Sequence, residues 1–207
     1  MAATNITLHG SELSGHTHRV ELMLRALNLP YRFVSSPAEL RRTVEFLSLN
    51  PLGQVPVLQD DDLVLADSNA ILVYLARRYG AEQSWLPDDA VSAARVQRWL
   101  SIAAGEIAYG PNVARLIVTR GFPGDHGKAV AIAGRLLRFM DGYLSGRAYL
   151  AAEHPTIADL ACYSYVAHAP EGGIALEPYP SVHAWLRRVE KVAGFKPMPA
   201  AAVSQQA

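Results

Sequence analysis

The chain predicts an α/β unit built on a mixed four-stranded sheet, followed by an all-α unit. Three observations predict it. Strand-like and helix-like apolar patterns alternate between Ile6 and Tyr79. A hairpin pattern breaks that alternation at the consecutive aspartates Asp60, Asp61 and Asp62. Beyond Asp89 each apolar repeat has helical spacing. The expected boundaries are 1–82 for the first unit and 90–207 for the second, with the stretch around Pro87 as a linker.

Each element follows from its residues. Alternation over 6–9 predicts a strand. Val20, Met23, Leu24 and Leu27 fall at i, i+3, i+4 and i+7 and predict a helix that Asn28 and Pro30 stop. Tyr31 to Val34 reads as a second strand, and Leu40, Val44 and Leu47 as a second helix ending at Asn50-Pro51. Val55-Pro56-Val57-Leu58 and Leu63-Val64-Leu65 read as a hairpin with a solvated acidic tip. Asp67 and Ser68 open a helix carrying Ile71, Leu72, Leu75 and Tyr79, and Gly80 closes it. The βαβ half requires parallel strands and the hairpin antiparallel ones, so the sheet is mixed. In the second unit Val96, Trp99, Leu100, Ala103 and Ile107 share one helix face, and Ile132, Leu136, Met140 and Tyr143 another. Thr156 with Asp159 three residues on reads as a variant capping box, and Val182, Trp185, Leu186 and Val189 as a last helix.

Composition narrows the function classes. Half of the 207 residues are hydrophobic, and 19 Lys and Arg balance 19 Asp and Glu. That balance excludes the basic footprint of a nucleic-acid binder and favours self-association. The single cysteine, Cys162, allows no intramolecular disulfide and fits a reducing compartment as a buried, inert thiol. Residues Met1 to Asn5 show no secretory pattern, and no apolar run approaches the roughly 18–20 residues that span a bilayer. The expectation is a cytoplasmic protein without a membrane anchor.

Three motifs in order sharpen this reading: Ser14 at the mouth of the first helix, Asn50-Pro51-Leu52-Gly53-Gln54-Val55-Pro56 ahead of Asp67-Ser68, and Thr156-Ile157-Ala158-Asp159 in the helical half. Together, over nearly the whole chain, they resemble the cytosolic glutathione S-transferase family in its serine-type bacterial branch. The resemblance implies a thioredoxin-like first domain, an all-helical second domain with a hydrophobic substrate pocket, and a homodimer. It implies detoxification chemistry, in which the thiolate of the co-substrate glutathione attacks a small apolar electrophile or a peroxide, with no metal.

The implied roles make physical sense. A free thiol has a pKa of about 8.5, and lowering it by two units corresponds to roughly 2.7 kcal/mol of preference for the anion. Ser14, donating its hydroxyl at the positive end of a helix, supplies such a preference; it also reads as an ordinary N-cap. The resemblance makes Pro56 cis, which would turn the Val55 amide and carbonyl toward the backbone of the ligand. Asp67 and Ser68 sit in a first helical turn, where a carboxylate is favoured, so Ser68 would take the γ-glutamyl carboxylate and Asp67 its ammonium. Gln54 and Arg42 are candidates for the glycyl end, with the adjacent Arg41 an open alternative. Leu13, His16, Tyr109 and Val113 are expected to line the second-substrate pocket. His16 and His18, two apart on a helix, point to different sides and do not share a metal. Two other readings stand beside the transferase. One is a non-catalytic binding or interaction protein on the same fold. The other is a thioredoxin-like redox protein, which would need an active-site cysteine that the Ser14 region lacks.

Overall fold

The computed structural model describes residues 5–80 and 84–201. The first unit runs β1 (Ile6–Gly10), α1 (Gly15–Ala26), β2 (Tyr31–Ser35), α2 (Val44–Leu49), β3 (Val57–Asp60), β4 (Leu63–Ala66) and α3 (Ser68–Tyr79). The sheet order is β2-β1-β3-β4. β1 and β2 are parallel, with Ile6 opposite Tyr31, whereas β3 is antiparallel to β1 with Leu58 opposite Leu8. β4 is antiparallel to β3. This is the mixed, thioredoxin-like sheet that the βαβ-plus-hairpin pattern requires.

Alternation along β1 divides the two faces. Ile6 and Leu8 are buried in the main core with Val20, Met23 and Leu24 of α1 and Ile71, Leu72 and Leu75 of α3. His9, on the opposite face, meets Phe46 of α2 ring edge to ring face. Of α2 only Phe46 is buried. The expected stripe Leu40, Val44, Leu47 does not form one face, because the chain makes a 3-10 turn at Leu40–Arg42 and an extended break at Thr43 before the helix. Val44 is consequently 79% exposed.

The acidic hairpin also departs from expectation. Asp61, at φ 51°, and Asp62 form the solvated turn. Asp60 is instead buried and accepts hydrogen bonds from the Tyr74 and Tyr79 hydroxyls at 2.7 and 2.5 Å. It is the last residue of β3, and its face of the strand is turned onto α3.

The second unit is all helix: α4 (Ala90–Ala104), α5 (Val113–Arg120), α6 (His126–Leu144), α7 (Ile157–Ala167) and α8 (Pro180–Val189). A π-helical turn at Ala108–Asn112, containing Pro111, leads into α5. α7 is central, with every residue from Ile157 to Val166 buried, and it packs against α1, α3, α4 and α8. Its capping box is complete. Cys162 sits inside with its Sγ–H on the Trp99 carbonyl at 3.6 Å, and burial pushes its pKa up, as a structural thiol requires. His18 joins the units: Nε2–H donates to the Lys196 carbonyl at 2.7 Å and Nδ1 accepts from the Ser164 hydroxyl at 2.9 Å. No helix among the described residues is long and apolar enough to cross a membrane.

Candidate functional site

Two adjoining cavities lie where the units meet. The first, of about 350 Å³, is bounded by the loop Asn50–Pro56 and the start of α3. Asn50 builds that loop. Its buried side chain donates Nδ2–H to the Gln54 carbonyl at 2.9 Å and accepts from the Leu52 amide at 3.1 Å. The Val55–Pro56 bond is cis. The amide and carbonyl of Val55 carry no hydrogen bond among the described residues, and Val55 lines both cavities.

At the start of α3, Asp67 holds φ at 72°, a conformation that non-glycine residues rarely adopt and that commonly marks functional sites. Its Oδ1 caps the helix by accepting from Asn69 and Ala70 amides, both at 2.9 Å. Oδ2 has no protein partner in this cap and remains available to a cation. Ser68 is buried beside it. The Ser68 hydroxyl sits 3.3 Å from Nδ1 of His16 and accepts from Nη1 of Arg19 at 3.3 Å.

Arg19 gives this cavity its charge. It is 1% exposed, and Nη1 also donates to Asn69 Oδ1 at 2.9 Å. Nε and Nη2 have no hydrogen-bond partner among the described residues, and no carboxylate lies within ion-pair distance. A buried guanidinium left this way is costly by several kcal/mol unless an anion completes it. Burial, with Arg19 adding to it, drives the pKa of His16 down to about 3, so its ring is neutral at physiological pH. The wall thus offers a charged donor and a helix N-terminus to one carboxylate, with a carboxylate oxygen of Asp67 for an ammonium.

The second cavity, about 460 Å³, shares His16, Gln54 and Val55 with the first and continues to Ser14. Ser14 is the N-cap of α1 and accepts from the Thr17 amide at a long 3.3 Å. An accepted bond leaves the hydroxyl proton free to be donated, so capping and donation are compatible at this residue. Tyr165 forms the floor. A Cβ placed on Gly15 would stand 2.7 Å from its ring, so only glycine lets α1 approach so closely. Burial raises the pKa of the Tyr165 hydroxyl, while Arg19, and to a smaller degree Ser14, hold it down.

Of the expected residues, Pro56, Asp67 and Ser68 line the first cavity, Leu13 and Ser14 the second, and His16, Gln54 and Val55 both. Arg42 is exposed and lines neither, whereas Arg41 lines the second. Tyr109 is 66% exposed and, like Val113, lines neither. The π turn accounts for this. It winds the chain past the regular helical register, so Ala108 reaches the first cavity and Asn112, Arg115 and Leu116 the second. Wall residues that carry no motif include Arg19, Arg115 and Tyr165. Arg19 has a signal, since it stands four residues before Met23 at the edge of the apolar stripe of α1. Arg115 and Tyr165 are brought to the wall by contacts across the fold.

Comparison with known proteins identifies the family. Residues 8–83 match the family model "Glutathione S-transferase, N-terminal domain", and residues 126–192 match "Glutathione S-transferase, C-terminal domain". Glutathione S-transferase theta-3 of Mus musculus is 34% identical over 73% of this chain and 67% of its own. Glutathione S-transferase F13 of Arabidopsis thaliana is 31% identical over 86% of this chain and 87% of its own. Among solved structures, a glutathione S-transferase from Pseudomonas fluorescens superposes with a TM-score of 0.87 at 33% identity, covering 93% of this chain and 98% of that one. A Drosophila mojavensis glutathione transferase homologue with bound glutathione superposes with a TM-score of 0.80 at 29% identity, covering 91% and 88%. With both domain models matched in order and relatives above 30% identity matched over most of their length, the chain belongs to the glutathione S-transferase family.

Proposed function

We propose that this chain is a glutathione transferase in which Ser14 stabilises the thiolate. One observation carries the reading. The buried, unpaired Arg19 and the open start of α3 share a cavity that continues past Gln54 and Val55 to Ser14. An extended anionic tripeptide fits that succession. Its γ-glutamyl carboxylate meets Ser68 and the field of Arg19, and its ammonium meets Asp67. Its cysteinyl backbone pairs with the free amide and carbonyl of Val55, and its glycyl carboxylate lies toward Gln54 and Arg41. The thiol then reaches Ser14, whose hydroxyl donates to sulfur at the positive end of α1. Ser14 is a donor in this reading, not a nucleophile. The second substrate enters the cavity beyond Ser14, against Leu13 and Leu116. The enzyme works in the cytoplasm as a homodimer, which sedimentation of the purified protein would test.

The primary experiment titrates glutathione by calorimetry into the wild type and Ser14→Ala, and follows the ultraviolet thiolate band of the bound ligand against pH. Saturable binding to both proteins with a lowered thiol pKa only in the wild type is the expected result. No binding to either defeats the reading and leaves an interaction protein on an inherited fold.

A further inference from the structure

The second cavity is walled by arginine as well as by apolar side chains. Arg41, Arg115 and Arg120 all line it, and no Asp or Glu does. Arg115 is 1% exposed. Its Nε–H donates to Glu171 Oε2 at 2.7 Å and its Nη1 to the Leu13 carbonyl at 3.0 Å, while Nη2 has no partner among the described residues. The Leu13 bond ties this guanidinium to the residue immediately before Ser14, so it lies next to where the sulfur would react. Arg120, five residues further along α5, is exposed and makes no ion pair among the described residues. Leu13, Leu116 and the half-exposed Phe122 complete the wall.

Glu171 and Leu13 answer part of Arg115, but an apolar body alone would leave its Nη2 and the guanidinium of Arg120 without a partner among the described residues. Resting on the transferase reading above, we propose that the second substrate is an anionic electrophile: an apolar, aromatic-sized body bearing a carboxylate or sulfonate. Its anionic group takes Nη2 of Arg115 and the guanidinium of Arg120. The ring packs on Leu116 and Phe122, and its electrophilic carbon faces Ser14. With a chloronitroarene the sulfur lone pair forms the new C–S bond at the chlorinated carbon. The ring takes up the electron pair and expels chloride, and the thiol proton has already passed to solvent. Arg120 favours this choice, since its uncommitted planar fork recognises carboxylate with two parallel bonds.

The test compares 4-chloro-3,5-dinitrobenzoate with its methyl ester, each rate divided by its uncatalysed reaction with glutathione. In the wild type the acid should exceed the ester in kcat/KM by about tenfold, the effect of one charge-assisted contact. Added salt should shrink that advantage. Arg120→Gln, at an exposed position, should bring the ratio near unity. Arg115→Lys, which keeps the charge and loses the fork, should reduce it with KM moving more than kcat. An ester that matches or exceeds the acid, or a ratio unmoved by both substitutions, overturns the anion preference while leaving the transferase reading intact. Absence of turnover with both compounds, in a protein that binds glutathione, overturns both.

Discussion

Two aspartates secure helix N-termini in this molecule and end in opposite situations. Asp159, at the third position of α7, closes its capping box and is fully buried. Oδ1 accepts from the Leu150 amide and Trp185 Nε1, and Oδ2 from the amide and hydroxyl of Thr156, at 2.9 to 3.1 Å. Asp67 caps α3 from an exposed position, with Oδ1 accepting from two amides and Oδ2 open to the first cavity. A carboxylate whose acceptor capacity is used up by its own fold can only hold structure. One left half used, on a strained backbone at a cavity wall, is equipped for a ligand. The same contrast recurs two residues apart on α1, where both nitrogens of His18 are bonded within the protein while His16 lines both cavities.

If that division holds, the largest effect of any single truncation belongs to the closed side. Asp159→Ala leaves the Thr156 and Leu150 amides and the Trp185 indole without an acceptor, and should cost about 3–5 kcal/mol in urea unfolding. A loss below 1 kcal/mol would erase the contrast between the two caps.

Next comes acid sensitivity at His18. Burial, the dominant cause, lowers its pKa from 6.5 to about 4, so the folded protein binds it neutral. Its contribution is complete above about pH 6.5 and is lost as pH falls toward 4, because the unfolded chain binds the proton first. That loss should approach about 3 kcal/mol. His18→Gln should flatten the stability profile measured by circular dichroism between those pH values. An unchanged slope would place the acid sensitivity elsewhere.

At the open side the effects should appear in chemistry. Ser14→Ala should lower kcat/KM about a hundredfold, equivalent to roughly 2.7 kcal/mol of thiolate stabilisation, and change glutathione affinity little. Equal losses in affinity and turnover would reduce Ser14 to a cap. Smallest is Asp67→Asn, which keeps a capping oxygen and removes the charge. It should weaken glutathione binding about tenfold, while unfolding free energy changes by less than about 1 kcal/mol. A stability loss without a binding loss would make Asp67 the equal of Asp159.

Sequence alone reached much of this. The stripe Val20, Met23, Leu24, Leu27 is buried as its spacing requires, and Thr156 with Asp159 forms the expected box. Ser14, Val55-Pro56 and Asp67-Ser68 line the cleft. These are local features, in which a side chain acts on backbone within one turn, so their signal lies within a few residues. Tyr109 and Val113 failed as wall residues for a different reason. A face read at regular helical spacing cannot anticipate the π turn that shifts it. The sequence around Asp60 predicts a solvated tip because its partners, Tyr74 and Tyr79, arrive from another element.

By itself, then, the sequence determined the order of elements, the mixed sheet and the helix caps. Tertiary structure alone decided the charge of the cleft. Arg19 and Arg115 look like ordinary helical arginines until burial strips them of water. Only three-dimensional packing sets which carboxylates reach them: Glu171 for Arg115, and none among the described residues for Arg19. The energy of a charge depends on what surrounds it, and for both arginines the surroundings come from residues distant in the chain.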